Sequence, residues 1–175
     1  TPVLADSSPQ WPSDRLQPTL SVSMNKSLTT SVARRMASAI TAAGATPHRV
    51  HFPTVGLTAH VRNGEYLTRL GNRWRIPMAT MVAPAEYLRA VGGDAMVAAA
   101  GPGYVLMGET SAELRGAQVG DSIVLRDIRF RMRTFTIGAI VPNVFVDWGD
   151  IFMTTESAQV LGPMSISRVA ATVDH

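Results

Sequence analysis

A strand–helix unit that occurs twice constrains this chain more than any other feature. YVLMGETSAELRG (Tyr104–Gly116) aligns without a gap to DIFMTTESAQVLG (Asp150–Gly162). Met107 matches Met153, Ser111 matches Ser157, Ala112 matches Ala158 and Gly116 matches Gly162. Each copy reads as a short apolar strand, a capped helical turn and a stopping glycine. Thr110 and Glu113 have the T-x-x-E spacing of a capping box. Apolar positions within such a strand face a core, so Met107 and Met153 are expected to be buried.

Between the copies lies the strongest β pattern. Gly120-Asp121 leads into SIVL, a turn falls at Arg126-Asp127, and IRFRMRTFTIGAIVP follows. Ile128, Phe130 and Met132 alternate with Arg129, Arg131 and Arg133, the period of a half-buried strand. On one strand the three guanidinium groups emerge on one face, about 6–7 Å apart. Their repulsion in water is modest and screened by salt. Cross-strand carboxylates or an acidic partner would relieve it. Arg129, Arg131 and Arg133 are therefore the candidate surface for an anionic partner, expected to be exposed. Replacing all three by Gln is expected to leave the melting temperature nearly unchanged.

Residues 1–18 carry four prolines and read as an extended leader or linker. Thr19–Met24 alternates as a strand, with Asn25 or Ser27 placed to cap the next helix. Leu28, Val32, Met36 and Ile40 form one stripe of that helix, and Gly44 stops it. HRVHFPTVGLTAHVRN is extended, interrupted at Pro53 and Gly56, and Asn63-Gly64 is a turn signal. EYLTRL and WRIPMATMV read as strands, and Pro84 as the first residue of the helix PAEYLRAVG. Asp94–Ala100 reads as a short helix, Ser167–Val173 as a closing strand. The pattern predicts an α+β fold: one domain over residues 19–175, built of β-α-β layers, with an inserted β-rich subdomain at about 81–137.

Composition excludes several classes. Of the 175 residues, 46% are hydrophobic and 17% charged, which argues against wholesale disorder. No apolar run reaches ~18 residues. There is no cysteine, hence no disulfide and no thiolate ligand. Lys26 is the only lysine among 16 basic residues, a bias that a GC-rich genome explains. A net charge of +3 is modest for nucleic-acid binding. No nucleophile elbow, phosphate loop or H-E-x-x-H motif occurs. His48, His51 and His60 are dispersed and read as turn or surface residues, and His175 ends the chain. Asn143, Asp147 and Asp150 read as turn formers around Trp148-Gly149. Arg62, Arg69, Arg73 and Arg75 surround Tyr66 and Trp74, a pattern shared by base-stacking surfaces and by solvated strand faces. The expectation is no catalytic residue, no metal, no cofactor and no nucleic acid.

PAEYLRAVG, YVLMGETSAELRGAQVGDSIVL, FTIGAIVP and IFMTTESAQVLG, in this order, resemble the MacB-type periplasmic core domain. That domain is the extracytoplasmic part of FtsX-like ABC transporter permeases. The resemblance covers about Ala83–Val173, and Thr19–Gly44 more loosely. It implies an α+β core of β-α-β units with an inserted β-rich subdomain. TLSVSMNKSL and PTVGLTAHVRNGEYLTRLGNRWRIP are similar to the N-terminal region of exported actinobacterial proteins. Those proteins carry a zinc D-Ala-D-Ala carboxypeptidase-like domain further on. The zinc motif of that domain, Ser-x-His-x-x-Gly with a later Glu-x-x-His, is absent here, so no catalytic residue carries over. The permease family's membrane helices are absent too. The resemblance implies a non-catalytic extracytoplasmic domain of an actinobacterial cell-envelope protein, secreted or membrane-anchored. It would bind, or transmit conformational change, with an envelope protein or anionic envelope polymer as partner. Membrane contact would come only through segments outside this chain. Two alternatives remain: an accessory module of a secreted peptidoglycan D,D-carboxypeptidase, and an arginine-rich nucleic-acid-binding domain.

Overall fold

The computed structural model describes residues 20–71, 74–162, 164 and 166–173, with backbone only for 20–28, 166 and 167. The expected leader, Arg73 and His175 lie outside the described residues. The strands are β1 (Leu20–Leu28), β2 (Thr46–Val50), β3 (Thr54–Arg62), β4 (Glu65–Arg69), β5 (Ile76–Ala83), β6 (Tyr104–Gly108), β7 (Ser122–Arg126), β8 (Met132–Val141), β9 (Ile151–Thr154) and β10 (Ile166–Thr172). The helices are α1 (Thr30–Ala42), α2 (Ala85–Gly92), α3 (Asp94–Ala99), α4 (Glu109–Arg115) and α5 (Thr155–Ala158). The α+β expectation holds at that level.

The two ends of the described chain form a three-stranded sheet, ordered β1-β10-β2. β10 is antiparallel to both neighbours, so β1 and β2 run the same way with α1 as their crossover. Val32, Ala33, Met36 and Ile40 of α1 pack on Val169, as the stripe predicts. β1 runs further than expected, through Leu28. Thr29, rather than Asn25 or Ser27, therefore caps α1, its Oγ1 accepting from Val32 N at 3.3 Å.

Seven strands, ordered β4-β3-β5-β9-β6-β8-β7, form the second sheet. It closes on itself. One edge of β3 pairs with β7 over Gly56–Val61. The other edge pairs with β5 over Thr54–Leu57 and with β4 over Ala59–Arg62. Six strands thus enclose a barrel, and β4 remains as an outer flap. The barrel interior holds Leu57, Met78, Met107, Leu125, Phe135 and Met153, all buried. The β-rich unit accordingly spans 54–154, wider than the expected 81–137. The β3–β7 pairing that closes it joins residues 61 to 70 positions apart, beyond the reach of local periodicity.

The duplicated units explain the barrel's symmetry. β6 and β9 are antiparallel neighbours, while β8 runs parallel to β6 and β5 parallel to β9. α4 and α5 therefore leave opposite ends, where Ala112 and Ala158 close the core. Met107 and Met153 are fully buried, as expected. The shared serines cross-link the copies. Ser111 Oγ donates to Asp150 Oδ1 (2.8 Å), just before β9. Ser157 Oγ accepts from Gly103 N (3.1 Å), just before β6. The expected capping box does not form. Gly108 precedes α4 without a side-chain bond, and Asn143 Oδ1 accepts from Thr110 N instead, at 3.1 Å.

An outer layer completes the fold. Leu88, Val91 and Met96 of α2 and α3 pack with Leu106, Phe152, Val50 and Ala170. Gly138 lets Ala99 approach: a Cβ there would collide with the Ala99 carbonyl. The two sheets are joined by reciprocal His51–Val82 backbone bonds (2.8 Å each) and by Arg168, which reaches Asp147 at 3.3 Å and lies over Phe52.

Candidate anion-binding surface

The arginine-rich segment is a loop followed by a strand, which corrects the continuous ladder read from its alternation. β8 begins only at Met132, and 127–131 form the tip of the β7–β8 hairpin. The reason is Asp127, which is 3% exposed. Its Oδ1 accepts from Arg129 N (2.8 Å) and Arg131 N (3.0 Å), and its Oδ2 accepts from Arg131 Nε (3.0 Å). Its own N–H donates to Arg131 O at 3.0 Å. Such side-chain-to-backbone bonds offer the chain an alternative to the ladder, so the turn widens.

The curl inverts the expected faces. Ile128 and Phe130 are not buried but 66% and 74% exposed, and Met132 is exposed as well. Phe130 takes a left-handed φ of +61°, unusual for an aromatic residue. The Arg126 guanidinium lies 5.0 Å from its ring centroid. Arg129 is exposed, and Arg131 and Arg133 are half-buried. Among the described residues no carboxylate partners Arg129 or Arg133; Arg133 Nε reaches Val160 O at 3.4 Å. Arg131 is spent on Asp127, and its buried Nη2 meets no acceptor among the described residues. Gly162 lies beneath the arginines: a Cβ there would be 3.1 Å from Arg131 Nη2. Burial pushes the Asp127 carboxyl up, but the three N–H donors from Arg131 and Arg129 outweigh it and hold it below the usual carboxylate range.

At the other end of β7 sits a second buried carboxylate. Asp121 accepts from His60 Nε2 (2.7 Å), Arg62 Nε (2.8 Å), Arg62 Nη2 (2.8 Å) and Gln118 N (2.9 Å). Arg62 Nη2 also donates to Gly116 O, tying the end of α4 to β3. Burial raises the Asp121 pKa; Arg62, His60 and Gln118 together hold it well below the carboxylate range. An ionised carboxylate only accepts, so His60 Nε2 carries the proton. His60 and Asp121 are each 2% exposed, which corrects the surface reading of His60. The pairing signal is absent from the local sequence, since 61 positions separate them. A shift of pairing between Leu57 and Ala59 places His60 opposite Ile123, whose side chain lies in the barrel core.

His48 is buried too, its Nε2 2.7 Å from Thr172 Oγ1, with Tyr87 edge-on at 5.6 Å. Burial lowers its pKa, partly offset by Glu86. His48, His51, Arg49, Glu86 and Thr155 line a cleft of about 530 Å³ at the joint between the sheets. Of the three expected turn formers, Asp147 takes a left-handed φ in its turn, whereas the other two bond distant elements: Asp150 Oδ2 accepts from Ala79 N at 2.8 Å and Asn143 Oδ1 from Thr110 N at 3.1 Å. The second arginine group is dispersed: Arg62 binds Asp121, Arg69 lies over Tyr66, and Arg75 covers Gly56. Among the described residues no three His, Cys, Asp or Glu side chains gather as a metal site, and no helix is long and apolar enough to cross a membrane.

No family model matches the chain, and no curated protein matches it. Among solved structures it is similar to "a domain of a putative Permease protein" from Porphyromonas gingivalis. That likeness has 15% identity and a TM-score of 0.45, covering 93% of this chain and 76% of that one.

Proposed function

We propose that this chain is a non-catalytic domain of a bacterial cell-envelope protein that acts outside the cytoplasmic membrane. It binds an anionic partner through the tip of the β7–β8 hairpin, with Arg129 and Arg133 as the direct contacts and Arg131 as the residue that shapes the loop. The envelope setting rests on the sequence resemblance to permease periplasmic core domains over about Ala83–Val173. One observation carries the binding reading: Asp127 spends its charge inside the loop, while Arg129 and Arg133 meet no carboxylate among the described residues. Positive potential at the tip is thus left for a partner. The conformation-transmitting variant of the reading is supported by Arg168, which spans the joint between the sheets. The test is binding of the 175-residue chain to immobilised poly-L-glutamate over a salt series. Salt-sensitive binding that is lost in Arg129→Gln/Arg133→Gln supports the reading. Binding unaffected by that double substitution contradicts it.

A further inference from the structure

Resting on the anionic-partner reading, we infer that the surface the tip docks on is a lipid one: the headgroup and upper acyl region of an anionic phospholipid bilayer. Ile128, Phe130 and Met132 interleave with Arg129, Arg131 and Arg133, and all three apolar side chains are exposed. A soluble polyanion satisfies guanidinium groups and leaves a bare phenyl ring in water. A bilayer interface offers phosphate to the cations and an apolar layer to the ring within a few ångströms of each other. The chemistry of the tip therefore matches a lipid surface better than a polymer.

The loop's conformation points the same way. Phe130 is held at a left-handed φ of +61° and stays 74% exposed. That conformation costs energy for an aromatic residue and gives it little burial within the fold. A phenyl ring is retained outside the core to better effect where a partner buries it. Arg126 lies against one side of the ring, placing a cation at the base of the inserted element. Asp127, the one acidic residue of the tip, is buried and bonded inward to Arg129 N, Arg131 N and Arg131 Nε, so its oxygens are turned away from phosphates. A single loop with two inserted side chains and two guanidinium groups that meet no carboxylate among the described residues gives weak, reversible attachment, not anchoring. Docking of the tip itself departs from the expectation that membrane contact comes only from segments outside this chain.

The chain has no cysteine, so Phe130→Cys gives a unique position for an environment-sensitive fluorophore. The 175-residue chain is mixed with phosphatidylglycerol/phosphatidylcholine vesicles, with pure phosphatidylcholine vesicles, and with soluble poly-L-glutamate. Co-sedimentation and label emission are read. The expected result is sedimentation and a blue shift with the anionic vesicles, neither with pure phosphatidylcholine, and weaker, salt-sensitive binding of poly-L-glutamate without a blue shift. Ile128→Ser/Phe130→Ser, which keeps every charge, should weaken partitioning by about tenfold, and Arg129→Gln/Arg133→Gln by a similar factor. All replaced side chains except Arg133 are exposed, and an unchanged melting temperature verifies folding of each variant. Anionic-vesicle binding that survives Ile128→Ser/Phe130→Ser at native strength overturns insertion of the tip. Binding to poly-L-glutamate without binding to vesicles overturns the lipid inference and leaves the anionic-partner reading standing. Binding to neither overturns both.

Discussion

The two ends of β7 carry the same residue in opposite employments. Asp121 and Asp127 are both buried carboxylates, six positions apart, and donors hold both ionised below the usual range. The side-chain partners of Asp121 come from β3, some sixty residues away, and bind the barrel wall to the end of α4. The partners of Asp127 lie within four residues of it and shape only the loop they belong to. A remote carboxylate cluster holds a fold together, whereas a local one sculpts a surface. The difference predicts that damage at one end is read in stability and at the other in binding.

The largest effect is expected at Asp121. Asp121→Ala leaves His60 buried without its acceptor and Arg62 without its anchor, and should cost about 3–5 kcal/mol in urea unfolding. A loss near zero would mean that the barrel end does not depend on the cluster. Met107→Ala, in the core between the ends, should cost about 2–5 kcal/mol. Asp127→Ala should cost less, about 1–3 kcal/mol, because the freed N–H groups lie near solvent. It should weaken anionic binding as the tip loses its shape. If Asp127→Ala destabilises as much as Asp121→Ala, the contrast between the ends collapses.

Titration sharpens the same contrast. The lowered pKa of His48 means that the unfolded chain binds the proton more tightly than the folded one. Stability from this group is complete above the unfolded value of 6.5 and is lost as pH falls through it towards the folded value. Asp121 and Asp127 add a second loss, below about pH 4, where unfolded carboxylates gain protons. The melting temperature should fall in both windows. His48→Gln should flatten the first and leave the second. The smallest stability effect is expected from Arg129→Gln/Arg133→Gln, within about 0.5 kcal/mol. Adding Arg131→Gln should cost more, since that side chain donates to buried Asp127. The triple substitution is therefore expected to lower the melting temperature, where the alternation alone predicts almost no change.

What the sequence made legible follows from the range of each interaction. The duplicated strand–helix units, the α1 stripe and the buried Met107 and Met153 are local patterns, and periodicity finds them. Closure of the barrel through β3–β7 and the His60–Asp121 contact are long-range pairings with no local signature. The tip failed for another reason. Ile128–Arg133 has a strand's alternation, but Asp127 two to four positions upstream captures Arg129 N and Arg131 N and breaks the ladder. The turn at Arg126-Asp127 is legible from that Asp, but its extension to Arg131 is not. Of the three arginines expected to be exposed, Arg129 is exposed and Arg131 and Arg133 are half-buried; a loop stands where the alternation predicts a strand, and the apolar residues between them face solvent.

The central claim is that Arg129 and Arg133 contribute to binding and not to folding. The most direct measurement is the affinity of the native chain and of Arg129→Gln/Arg133→Gln for phosphatidylglycerol-containing vesicles, each followed from low to physiological salt alongside the unfolding free energy. The account predicts native binding that weakens as salt rises, a variant that binds about tenfold more weakly at low salt with a shallower salt dependence, and equal stability of the two chains. A variant that unfolds more readily yet binds as tightly as the native chain would contradict it.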